Sequence, residues 1–78
     1  MLYLIYKITN KLDNKIYIGS HKTNNIDDSY MGSGKYLNHA YNKHGIENFC
    51  FDIIEHCSNI EILQDREQYW MDFYKAYN

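Results

Sequence analysis

Two short runs of strand-forming residues, separated by a turn, do most to limit what this chain can fold into. Residues 2–8 (Leu-Tyr-Leu-Ile-Tyr-Lys-Ile) and 15–20 (Lys-Ile-Tyr-Ile-Gly-Ser) are rich in β-branched and aromatic side chains, which suit a pleated, half-buried surface. The stretch between them, Thr9-Asn10-Lys11-Leu12-Asp13-Asn14, is turn-rich. Together they predict a β-hairpin. Two registers fit. A tight Asp13-Asn14 turn pairs Tyr6 with His21, whereas a six-residue loop over 9–14 pairs Tyr6 with Tyr17 and sets two phenols side by side.

Residues 21–33 are polar and aperiodic, and read as a loop. From about Ser33, helical spacing places Leu37, Ala40, Tyr41 and His44 on one face, with Gly45 as a C-terminal stop. Phe49-Cys50-Phe51-Asp52-Ile53-Ile54 is a third strand. Ser58-Asn59-Ile60-Glu61 fits a capping box that opens a helix to about Ala76. The order β-β-α-β-α predicts a small α+β domain, a three-stranded, mainly antiparallel sheet flanked by helices. With 78 residues, 1–78 form one domain. Nine tyrosines, three phenylalanines and one tryptophan offset the shortness of the chain, because each aromatic buries a large area.

No apolar run approaches the roughly 20 residues needed to span a membrane, and the N-terminus lacks a basic region and cleavage site of a signal peptide. Cys50 and Cys57 make no disulfide framework and read as reduced, partly buried thiols of an intracellular protein. His56-Cys57 has no second ligand pair at zinc spacing, and Gly32-Ser33-Gly34-Lys35 is only a fragment of a phosphate loop. The net charge of −2 hides an asymmetry. Residues 1–45 carry six lysines against three aspartates, a balance of +3; residues 46–78 carry two basic residues against seven acids, a balance of −5. A phosphate backbone fits the first half, with modest, salt-dependent affinity.

The last helix carries a carboxylate where an apolar side chain is expected. Ile60, Leu63, Trp70, Met71, Tyr74 and Tyr77 share one side; Glu61, Gln64, Asp65, Gln68, Asp72 and Lys75 share the other. Glu67 falls inside the apolar arc. A lone carboxylate there costs several kcal/mol unless paired, protonated or bound to metal. Three readings fit: half of an ion pair, with Arg66 as one candidate partner; an apolar stripe that ends at the surface there; or a metal ligand facing the sheet. Most tyrosines are core. Tyr6 and Tyr17 stand apart because each lies in a strand, and Gly19, two residues after Tyr17, allows close backbone approach. A phenol of pKa about 10 is a general base only where a nearby cation or metal lowers that value; Lys15, His21, Lys22 and Lys35 are the cations at hand.

Leu4-Ile5-Tyr6, followed after ten residues by Tyr17-Ile18-Gly19, resembles the paired tripeptides of the GIY-YIG nucleases. Asn42-Lys43-His44-Gly45 with Asn48-Phe49, the third strand, and Arg66-Glu67-Gln68-Tyr69-Trp70 extend the resemblance over the whole chain, nearest to phage homing endonucleases. It implies a metal-dependent endonuclease that hydrolyses DNA phosphodiesters with one divalent ion, Mg²⁺ or Mn²⁺. Tyr6 and Tyr17 match the motif tyrosines, Tyr17 as activator of the attacking water, and Glu67 matches the metal-binding glutamate. Lys22, with His21 nearby, and Lys35 are candidates for the catalytic and substrate-binding cations, and Gly19 for substrate approach. The implied partners are DNA and either a homodimer or a separate DNA-recognition subunit, in the cytoplasm of a host cell.

The chain departs from that family in three places. Leu4 replaces a glycine. The arginine and histidine that many members carry on a helix after the second motif have no counterpart, since loop 21–33 stands there and Arg66 is the first arginine. An asparagine beyond the glutamate is matched only by Asn78. The alternative is a domain of the same fold, catalytically impaired, that binds nucleic acid or a protein.

Overall fold

A computed structural model describes residues 1–27, 29–32 and 34–76. Its strands are β1 (Leu2–Asn10), β2 (Ile16–Thr23) and β3 (Phe49–Cys57), in the order β2-β1-β3 with both pairs antiparallel. Helix α1 spans Lys35–His44 and helix α2 spans Leu63–Tyr74, with single 3₁₀ turns at Ile46–Asn48 and Ile60–Ile62. The predicted class, element order and sheet are those observed.

The hairpin adopts neither expected register. Tyr6 faces Gly19 and Ile8 faces Tyr17, midway between the two alternatives. The turn decides this. Asn10 N donates to Lys15 O (2.9 Å) and Asn14 N to Asn10 O (2.7 Å), while the carboxamide oxygen of the fully buried Asn10 accepts from Leu12 N (2.9 Å). Asn14 takes a left-handed φ of 63°, which asparagine tolerates. The strands are also longer than their composition suggests. His21, Lys22 and Thr23, expected in a loop, pair with Leu4, Tyr3 and Leu2; partner backbone groups override side-chain polarity on an edge strand.

Alternation then gives the sheet two unlike faces. Tyr6, Ile8 and Tyr17 pack with Leu37 of α1 and Phe49. Ile5 and Ile18 pack on the other face with Cys57 and Leu63 of α2, and Trp70, Met71 and Tyr74 join them. A bulge in the β1–β3 pairing, where Ile5 faces Glu55 but Tyr6 faces Ile53, leaves Ile54 as the extra residue. The two free thiols differ: Cys57 is buried and Cys50 is exposed.

Helix α1 stops at Gly45, whose φ of 85° closes the turn through Gly45 N to Tyr41 O (2.9 Å). At the other helix the cap falls one residue later than expected. Asn59, not Ser58, accepts from Glu61 N (2.9 Å) and Ile62 N (3.2 Å). The intervening 3₁₀ turn shifts Ile60 out of helical phase, so it is exposed instead of joining the apolar side. Ser33, Tyr77 and Asn78, invoked above, lie outside the described residues, as does Asp28. No helix among the described residues is long and apolar enough to cross a membrane.

Candidate active site

The second tripeptide is shaped by the first. An added Cβ on Gly19 would lie 2.1 Å from the Tyr6 hydroxyl oxygen and 2.3 Å from the ring carbon bearing it. The Tyr6 phenol therefore lies over the β2 backbone in the space a side chain would fill. It is buried, stacked on Phe51 (centroids 5.3 Å, 23°) and edge-on to Tyr30 (5.7 Å, 70°). Sequence reasoning attributed the glycine to close approach of a ligand; the group that approaches is Tyr6.

Tyr17, also buried, borders a cleft between β2 and α1 whose other sides are formed by Asp13, Lys15, Tyr36, His39, Lys43 and His44. Behind it, burial, together with the phenols of Tyr17 and Tyr30, pushes the Tyr41 hydroxyl up to about 12. That hydroxyl donates to Met31 O at 2.6 Å, so Tyr41 is a locked, protonated neighbour of Tyr17.

Glu67 is half-buried on α2 and lines a groove with Ser20, Lys22, Leu63, Gln64 and Gln68. The charge inside the apolar arc thus faces the sheet beside β2. Arg66, a candidate partner, makes a fork to Glu55, its Nε lying 2.9 and 3.0 Å from the two carboxylate oxygens, and stacks over Tyr69 (4.4 Å). Trp70 Nε1 donates to the same Glu55 oxygen (2.7 Å). Burial alone would raise the Glu55 carboxyl; the Trp70 and Arg66 hydrogen bonds and the Arg66 charge outweigh it and hold it below the usual carboxylate range.

The expected residues therefore fall into three places. Glu67 and Lys22 share the α2 groove. Tyr17 lies in the α1 cleft on the opposite face. His21 stacks on Tyr30 (3.6 Å, 3°) at a third concavity with Leu4 and Phe51. Lys35 opens α1 and lines none of these. The basic side chains around Tyr17 are Lys15, His39, Lys43 and His44. His39 and Lys43 were missed as candidates, although their spacing of four on a helix, beside Tyr36, was visible in the sequence.

Two features bear on a metal. Among the described residues no three His, Cys, Asp or Glu side chains form a metal cluster. The groove offers one carboxylate with hydroxyl and amide oxygens. This fits a hard cation such as Mg²⁺, which keeps several waters and completes its shell with substrate phosphate, and not a closed protein cage.

Known proteins share both sequence and fold. The model of the GIY-YIG catalytic domain matches residues 2–78. Among curated relatives from Enterobacteria phage T4, the putative endonuclease segB is 54% identical over 68 residues, 87% of this chain and 31% of that protein. Endonuclease segA is 41% identical over 63 residues, 81% of this chain and 28% of that protein. The chain thus spans about a third of the length of these relatives. A structure of the catalytic domain of the homing endonuclease I-TevI superposes with a TM-score of 0.77 at 27% identity, covering 97% of this chain and 96% of that one. A mutant of the same catalytic domain gives 0.78, covering 100% and 93%.

Proposed function

The chain belongs to the GIY-YIG catalytic-domain family, whose nucleases are generally metal-dependent, and from that premise we propose that it is a Mg²⁺- or Mn²⁺-dependent endonuclease domain hydrolysing DNA phosphodiesters, with Tyr17 and Glu67 at its centre. The observation that carries this reading is the placement of the two clefts. Strand β2 is a free edge of the sheet, with the Tyr17 cleft against one of its faces and the Glu67 groove against the other. Tyr17 and Ser20 are about 10 Å apart along the strand, so a nucleic-acid backbone crossing the edge reaches both.

Glu67, with the oxygens of Ser20, Gln64 and Gln68, would hold the cation, which would supply Lewis acidity towards the scissile phosphate and its leaving oxygen. Lys22, in the same groove, offsets charge that develops on phosphate oxygens. Tyr17 takes a proton from the attacking water only as phenolate, the form that positive charge favours; Lys15 and Lys43 border its cleft. Tyr6 acts by position, packing over Gly19 and fixing the β2 backbone that carries Tyr17. The acidic second half of the chain limits DNA affinity, and a partner domain or second subunit supplies target recognition. The phage relatives favour action in the cytoplasm of an infected cell.

Supercoiled plasmid tests this. Nicking or linearisation should require Mg²⁺ and stop in EDTA. Glu67→Ala and Tyr17→Phe should each slow it by about 10²–10⁴-fold at unchanged melting temperature; cleavage surviving either substitution refutes the site. One observation favours a second reading, a non-cleaving nucleic-acid-binding domain: the single arginine of the sequence is Arg66, and it is engaged by Glu55. DNA binding without cleavage at low salt selects that reading.

A further inference from the structure

Of the four cations expected for Tyr17, Lys15 borders its cleft and His21, Lys22 and Lys35 do not; His39 and Lys43 stand there instead. We propose that Lys15, His39 and Lys43 form a clamp for a DNA backbone phosphate beside Tyr17, at a cleft that the single arginine of the sequence, Arg66, does not line; the proposal rests on the nuclease reading above. Three observations converge on it.

Helix α1 is locked in rotation. Leu37 is 1% exposed in the core, and the Tyr41 hydroxyl is tied to Met31 O. With Leu37 and Tyr41 turned inward, His39 and Lys43, four residues apart, are held along the cleft.

Most basic residues of α1 also lie along the cleft. The exposed positions 38 and 42 are neutral asparagines, while His39 and Lys43, themselves exposed, border the cleft with the half-buried His44; Lys35, at the start of the helix, lies outside it.

Lys15 arrives from another element. It lies two residues before Tyr17 and so on the same side of the strand, and its backbone amide donates to the Asp13 carboxylate at 3.0 Å. Asp13, the acid of this lining, is thereby partly engaged in the turn. Primary amines and imidazoles from two elements, converging next to a phenol, suit the oxygens of a phosphodiester.

Fluorescence anisotropy with a labelled mixed-sequence duplex, in EDTA and across a salt series, tests the clamp on the full chain. The His39→Gln/Lys43→Gln double variant and, independently, Lys15→Gln should each weaken binding at low salt, the double variant by about tenfold. Each lysine removed should flatten the slope of log affinity against log salt by about one. Lys75→Gln makes an equal change of charge at the end of α2, on the other face, and should stay within about twofold of the parent. Equal losses in all variants, or unchanged slopes in the clamp variants, overturn the proposal. A parent that cleaves while its clamp variants bind normally loses the clamp alone. A parent that binds through the clamp but never cuts supports the clamp and overturns the nuclease reading, and a parent that does neither removes both.

Discussion

The two faces of the sheet are built on different principles, although one strand supplies both. The α2 face is closed by Ile5, Ile18, Cys57 and Leu63, and its polar groups sit at the margin in tight pairings: Glu55 with Arg66 and Trp70, and Lys7 over the Tyr74 ring at 5.0 Å. The α1 face buries phenols within the core itself, Tyr6 and Tyr17 among Ile8, Leu37 and Phe49. Hydroxyl-bearing rings at the centre are a poorer way to gain stability than aliphatic side chains, since each must find a hydrogen-bond partner. On the proposed reading the α1 face gives up some packing to hold the phenol of Tyr17, and the aliphatic centre of the α2 face supplies the compensating stability. Glu67 is the exception on the apolar side, and the only carboxylate that α2 presents to the groove beside Lys22.

The largest expected effect comes from adjacent residues of β2 that point to opposite faces. Gly19→Ala should destabilise the domain by about 1–3 kcal/mol, the usual range for overpacking, because the new methyl occupies the space of the Tyr6 ring. Ser20→Ala, one residue on and facing the α2 groove, should remain within about 0.5 kcal/mol of the parent. Thermal denaturation of both variants checks this. Adding Tyr6→Leu to Gly19→Ala should recover part of the loss, a favourable coupling expected only of groups in contact. If Gly19→Ala melts with the parent, the packing of Tyr6 over β2 is wrong, and with it the contrast between the faces.

The faces should also fail at opposite ends of the pH scale. On the α2 face, Glu55 has a folded pKa below its unfolded value. Its contribution is therefore complete above about pH 4.3 and is lost as pH falls through the lower folded value. On the α1 face, Tyr41 is raised to about 12. Its contribution is complete below about pH 10 and is lost as pH rises towards that value. Glu55→Gln should cost about 1–1.5 kcal/mol at neutral pH, allowing for partial exposure of the pair, and should flatten only the acid limb of a stability profile. Tyr41→Phe should flatten only the alkaline limb. Denaturant midpoints at pH 3, 7 and 11 separate the two, and a variant that alters both limbs equally contradicts the assignment.

Much of this was readable from residue types, and the failures share a cause. Strand identity, the core of α1 and the inward position of Glu67 follow from local periodicity. The register at Tyr6–Gly19, the extension of β2 over His21–Thr23 and the pairing of Arg66 with Glu55 depend on partners distant in sequence, which periodicity does not encode. The site divides in the same way. The candidates Tyr17 and Glu67 emerge from the sequence separately, Tyr17 by motif and Glu67 by misplaced charge. Their separation onto opposite faces of an edge strand required the register. Of the candidate cations, alternation turns Lys22 to the other face, and Lys35 lines neither cleft. His39 and Lys43 reach the cleft through the rotation of α1, which only the burial of Leu37 and Tyr41 fixes.

The smallest effect concerns how α2 comes to present Glu67 to the sheet. Two determinants compete: the cap before the helix, and the packing of Leu63 and Trp70. Asn59 satisfies two amides that the opening turn leaves without internal partners, so Asn59→Ala should cost about 1 kcal/mol and lower the melting temperature by about 4–8 °C in a domain of this size. Ser58→Ala should leave it unchanged, and a larger loss at Ser58 would return the cap to the position expected from sequence. The α1 face sharpens the test, since it takes no part in this cap. If packing sets the helix, Asn59→Ala lowers stability yet leaves Mg²⁺-dependent cleavage at temperatures well below melting within about twofold of the parent, because Leu63 remains docked. If the cap sets it, cleavage falls with the cap while the clamp on α1 keeps its salt slope. The burial of Leu63, at 7% exposure, four residues before Glu67 and on the same side of the helix, favours packing, because a side chain held that deeply fixes the rotation of α2 whether or not the preceding turn frays.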